Sequence, residues 1–81
     1  MKKLYRIYYN TFKEDLHEKV KKLLEERYNA KIVEHKSMLH PDFRYLELYV
    51  GTPGLEEEIS NLIKTVLGSI HVKVDWIDTS K

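Results

Sequence analysis

The sequence contains no cysteine. That single absence excludes disulfide staples, a thiolate metal centre, a Cys-x-x-Cys metallochaperone motif and a cysteine nucleophile. Glutamine is also absent, alanine occurs once, and there are only 3 glycines and 2 prolines. So few breakers leave no stretch that reads as a flexible linker or a low-complexity tract. An excess of one charge is missing too: 14 basic against 13 acidic side chains give a formal +1. Such a balance argues against a protein that holds nucleic acid mainly by neutralising phosphates. No apolar run approaches the ~18 residues of a membrane span. Met1-Lys2-Lys3 is followed by no signal-peptide core, so a soluble, cytoplasmic chain without a membrane partner is expected. What is present is 81 residues, 42% of them hydrophobic and 33% charged, the profile of one globular domain spanning 1–81. A domain of this size buries only about 60% of its unfolded surface, so its core has to be efficient.

The apolar periodicity divides the chain into six elements. Residues 3–9 are aromatic and β-branched and predict a strand. Thr11 and Glu14 have the spacing of a capping box, and Phe12, Leu16, Val20, Leu23, Leu24 and Tyr28 recur at helical spacing. A helix is therefore expected over 12–28, with Asp15–Lys19 and Glu18–Lys22 pairs on its exposed face and Asn29 as a left-handed cap. Residues 31–38 make a second strand whose alternation is unclear. His40-Pro41-Asp42 supplies turn chemistry. Residues 43–50 then alternate cleanly, Leu46, Leu48 and Val50 against Phe43, Tyr45, Glu47 and Tyr49. Thr52-Pro53 has the form of a helix N-cap and first position, and Glu56 to Glu58 load the positive end of the helix dipole. Leu55, Ile59, Leu62, Ile63, Val66 and Leu67 form the buried stripe, closed by Gly68. A last strand over 70–77 alternates Ile70, Val72, Val74 and Trp76 with His71, Lys73, Asp75 and Ile77.

A β-α-β-β-α-β order with short connections predicts an α+β ferredoxin-like plait: a four-stranded antiparallel sheet, order 4-1-3-2, with both helices on one face. Tyr5, Ile7, Tyr9, Leu46, Leu48, Val50, Ile70, Val72, Val74 and Trp76 belong to the covered face. Leu4, Arg6 and Tyr8 then share the open face with Phe43, Tyr45, Glu47 and Tyr49. A register summing to 53 sets Arg6 against Glu47, Tyr8 against Tyr45 and Leu4 against Tyr49. Ile77, and either Ile32 or Val33, extend this face.

An open sheet usually carries Thr, Lys, Glu and Ser toward water. Four aromatic side chains with aliphatic neighbours instead predict a contact surface. The first functional expectation is self-association into a homodimer or larger oligomer through Leu4, Arg6, Tyr8, Phe43, Tyr45, Glu47 and Tyr49, as a binding or regulatory module rather than an enzyme. The alternative is single-stranded RNA or DNA binding. The element order resembles RNA-recognition domains, which stack bases on aromatics of the first and third strands, where Tyr8, Phe43 and Tyr45 stand here. The basic residue and glycines of that family's third strand are missing from 41–48. Glu47 adds a negative charge mid-platform, and Lys36, Arg44 and Lys73 are the few cations nearby.

Catalytic and cofactor chemistry finds little support. Gly51-Thr52-Pro53-Gly54 leads into a helix but lacks the Lys and spacing of a P-loop, and three glutamates behind it repel an anion. His17, His35, His40 and His71 form no pair at metal-ligand spacing, and His40 with Asp42 makes at most two ligands on a turn. Neither a cofactor, a metal nor a catalytic residue is expected. Few labile residues and alternating charge on the first helix are traits common in thermophile proteins, equally produced by genomic bias or design.

Overall fold

The computed structural model describes residues 3–36, 39–40, 42–68 and 71–79. The elements run β1 (Lys3–Asn10), α1 (Glu14–Tyr28), β2 (Lys31–Lys36), β3 (Phe43–Tyr49), α2 (Glu56–Leu67) and β4 (Val72–Asp78). All pairings are antiparallel and the sheet order is β2-β3-β1-β4. This is the α+β ferredoxin-like plait, with the two strands richest in alternating apolar residues at its centre. Among the described residues no helix is long and apolar enough to cross a membrane. Expectations that fell on residues 37–38, Pro41 and Ile70, and on the Lys36 side chain, lie outside what is described.

The central register follows the sum read from the sequence: Tyr5 opposes Leu48, Arg6 opposes Glu47, and Tyr8 opposes Tyr45. Period two therefore sends Tyr5, Ile7, Tyr9, Leu46 and Leu48 to the helices, where they are buried with Val20, Leu24, Ile59 and Ile63. Ile32, Val50, Val72, Val74 and Trp76 pack around this cluster. Both helices end as expected, on left-handed Asn29 (φ 47°) and Gly68 (φ 66°).

Both helix starts differ from expectation. The Thr11–Glu14 capping box does not form. Thr11 Oγ1 accepts the Lys13 N–H at 3.1 Å in a local turn, while the Glu14 carboxylate reaches Arg44. Helix α1 begins at Glu14, and Phe12, expected on its buried stripe, is 79% exposed. Likewise α2 begins at Glu56, after Thr52-Pro53 rather than on it. Here the Tyr5 hydroxyl holds the entry, donating to the Thr52 carbonyl while accepting the Leu55 N–H at 3.0 Å. A phenol reaching out of the core thus replaces the local cap, and Tyr5→Phe is expected to cost about 1–2 kcal/mol. Urea unfolding with an unchanged m-value measures it.

Candidate functional site

The face of the sheet away from the helices is a grid of three cross-strand rows. Across β2, β3, β1 and β4, one row reads His35, Tyr45, Tyr8, Lys73. The next reads Val33, Glu47, Arg6, Asp75. Beyond it lie the pairs Lys31–Tyr49 and Leu4–Ile77. Phe43, opposite Asn10, closes the other end. The unclear alternation of β2 is thereby settled, since Val33 and His35 are on the open face and Ile32 and Glu34 on the helix face. All seven expected face residues occupy this side of the sheet. Leu4, however, is only 2% exposed and is already covered within a single chain.

The aromatic row is a stack. Tyr8 and Tyr45 lie with centroids 4.8 Å apart at 12°, and His35 covers Tyr45's other side at 4.8 Å and 24°. Phe43 leans on Tyr8 at 6.1 Å. Tyr45, at the centre of the row, has a ring stacked on each side, whereas base stacking needs an open ring face. Glu47 sits beside the stack. The His35 ring N–H donates to its Oε1 at 2.9 Å, and the Tyr45 hydroxyl donates to Oε2 at 3.3 Å. Led by the His35 bond, these contacts hold the Glu47 carboxyl below the usual carboxylate range despite its burial. Arg6 stands between two carboxylates, Glu47 and Asp75, and is exposed. It forms no ion pair among the described residues, Asp75 being paired with Lys73 at 3.7 Å.

A second arrangement, on the helix side, was not legible in the sequence. His17 of α1 is fully buried. Its Nδ1 is 2.6 Å from the Tyr9 hydroxyl and its Nε2 2.7 Å from Glu34 Oε2. An ionised carboxylate only accepts, so Nε2 donates to Glu34, and in the neutral imidazole Nδ1 accepts from the Tyr9 hydroxyl. Lys21 Nζ completes the chain at 2.9 Å from Glu34 and 2.6 Å from Glu18. Burial alone would raise the Glu34 carboxyl, but the hydrogen bonds from Lys21 and His17 prevail and bring it down to about 2. Burial pushes the Tyr9 hydroxyl above its ordinary range.

Tyr–His–Glu is a triad-like order, yet the hydroxyl at its head is in the core, with no path for a substrate. His17, Glu18 and Glu34 offer ligand atoms within 4.8 Å of one another, the spacing of a metal site. Lys21 already supplies the cation there, bridging both carboxylates, so the cluster is an ion-pair network around an ammonium. The signal that finds His17 is its phase, three residues before Val20 and seven before Leu24 on the buried stripe.

Arg44, considered above as a cation for nucleic acid, proves to belong to the covered side. It is 8% exposed, with Nε donating to the Thr11 carbonyl at 3.2 Å and Nη2 3.1 Å from Glu14. Comparison with protein-family models, curated proteins and solved structures finds no match to this chain. Its functional reading therefore rests on the geometry of the two faces. Of the shallow clefts, one of about 280 Å³ lies at the β1–β4 end beside Tyr8, Asn10 and Lys73. It lacks the enclosed, mostly apolar lining of a small-molecule site.

Proposed function

We propose that this chain is a small cytoplasmic binding module, without chemistry of its own, that assembles with a second copy through the open face of its sheet. The observation that carries this reading is the composition of that face. Half-buried Tyr8, Phe43, Tyr45, Tyr49, Val33 and Ile77 surround charges of both signs, Arg6 and Lys73 beside Glu47 and Asp75. A mixed field of this kind complements another copy of itself, while a nucleic acid requires one sign. The stacked ring faces and the Glu47 carboxylate favour the same choice.

Four strands at ~4.8 Å spacing and seven residues at ~3.4 Å span on the order of 20 by 24 Å, roughly 450–500 Å² in projection. A standard interface buries ~800 Å² per partner, so the pair belongs to the weaker, reversible class. Light scattering is expected to show a monomer–dimer equilibrium at micromolar concentration. Tyr45→Lys with Tyr49→Lys should weaken it at least about tenfold, since each copy then carries two buried ammoniums into the contact. A clean monomer at every concentration sinks the proposal. Titration with a mixed single-stranded oligonucleotide at low salt, where electrostatic attraction is least screened, should leave tyrosine fluorescence unchanged. Submicromolar binding there replaces self-association with the nucleic-acid reading.

A further inference from the structure

Resting on that self-association, we infer that the two copies are related by a two-fold axis running parallel to the strands, between β1 and β3, so that Arg6 of each copy meets Glu47 of the other. Stacked sheets align their strands to within about 30°, at ~10 Å separation, which leaves two families of axis in the plane between them. An axis across the strands, if it follows the charged row, sets Arg6 on Arg6 and Glu47 on Glu47. If it falls between rows, it sets Arg6 against Tyr8 and Glu47 against Tyr45. Either way, desolvated charges lack an opposite partner, the costly case. An axis along the strands preserves rows and exchanges columns.

The order β2-β3-β1-β4 places the sheet's midline between β3 and β1, so an axis there overlaps all four strands. Its contacts then follow from the register: Arg6 on Glu47 twice, and Tyr8 on Tyr45 twice. The outer strands meet at the rim, Val33 opposite Asp75 and His35 opposite Lys73. An axis between β1 and β4 would also satisfy Arg6, with Asp75, but leaves β2 and β3 largely outside the contact. Arg6 is suited to the central role because it is exposed and makes no ion pair among the described residues. A guanidinium facing a carboxylate at the centre of a contact is a geometry-selective interaction.

The test uses charge reversal read by sedimentation. R6E alone places two glutamates opposite each other at both central contacts, and E47R does the same with two arginines. Each should weaken homodimerisation roughly tenfold or more. An equimolar mixture of the two restores Glu–Arg contacts at both positions and should associate within a few-fold of the wild type. The double reversal R6E/E47R in one chain should also dimerise, and keeps the neighbouring pair within the chain if E47R alone fails to fold. Single variants that retain wild-type affinity, a mixture that stays monomeric, or a mixture far tighter than wild type overturns this geometry. If the Tyr45→Lys, Tyr49→Lys chain still loses assembly in that case, the sheet-face reading survives and only the axis falls. A wild-type chain that never associates ends both.

Discussion

His17→Ala is expected to lower the stability of the fold by about 3–5 kcal/mol. Two costs combine. Removing a fully buried imidazole leaves a cavity on the buried face of α1, the class of change that costs ~2–5 kcal/mol for large side chains. It also strands the Tyr9 hydroxyl in the core and takes a hydrogen bond from the Glu34 carboxylate, each unsatisfied group costing ~1–3 kcal/mol where water cannot reach it. Glu34 is 17% exposed at its side chain and recovers part of its loss from solvent and Lys21, which keeps the sum below the full addition. Domains carry ~0.05–0.15 kcal/mol per residue, so 81 residues hold ~4–12 kcal/mol, and this one change removes about a quarter or more. The urea midpoint at unchanged m measures it, and a loss under ~1 kcal/mol contradicts the assignment. The triple change Tyr9→Phe, His17→Leu, Glu34→Leu removes both ends of the two bonds that His17 makes, fills the space, and leaves Lys21 paired with Glu18. It should return to within about 1–2 kcal/mol of the wild type, because polar chains cost most when half removed.

The contrast between those variants also explains what the sequence revealed and what it hid. Strands β1 and β3 were legible because β3 alternates without exception and β1 departs from alternation only at Leu4, so that in phase they bring Tyr5, Ile7, Tyr9, Leu46 and Leu48 to one face. The left-handed caps at Asn29 and Gly68 were legible because residue type alone decides them. The helix starts were hidden because their hydrogen bonds come from far along the chain. Tyr5 reaches Leu55 across 50 positions, and Arg44 draws Glu14 away from Thr11. The facing of β2 was hidden for a related reason. Glu34 lies on the helix face as a partner for His17 and Lys21, so a charge stands where the pattern asks for an apolar residue. The candidate face needed only β1 and β3, and its aromatic members could be named from periodicity. That His35 would cover the far side of Tyr45, and that Leu4 would be sheltered inside one chain, depended on β2 and β4 lying alongside.

The polar chain divides labour between the two sides of the sheet. Its members neutralise one another inside the monomer, with Lys21 and Glu18 at the wet end. Arg6, on the opposite side, has a carboxylate on either flank and an ion pair with neither among the described residues. Buried charge on the helix face is thus spent on holding α1 to β2, and the Arg6 guanidinium on the open face is left for the proposed second copy.

Glu34 gives the helix-side chain a pH signature. Its ordinary value is 4.5, and in the fold the carboxyl is brought down to about 2. The unfolded chain therefore takes up this proton first as pH falls, and protonation favours unfolding. The stabilisation is fully present above about pH 5 and drains away between there and about pH 2. At 1.36 kcal/mol per pH unit the shift sets a ceiling near ~3 kcal/mol, and partial solvent access brings the expected loss to about 2 kcal/mol. Glu18, Glu47 and Glu58 are also held low and add smaller slopes of the same sign. Glu34→Gln separates the contributions, because glutamine accepts from His17 without titrating. Against wild type the variant should be about 2 kcal/mol less stable at pH 7 and equal near pH 2, the two curves converging through the acid range. Parallel curves in urea unfolding from pH 6 down to pH 2 would show that Glu34 ionises alike in the folded and unfolded chain, and that its bonds to His17 and Lys21 hold no stability.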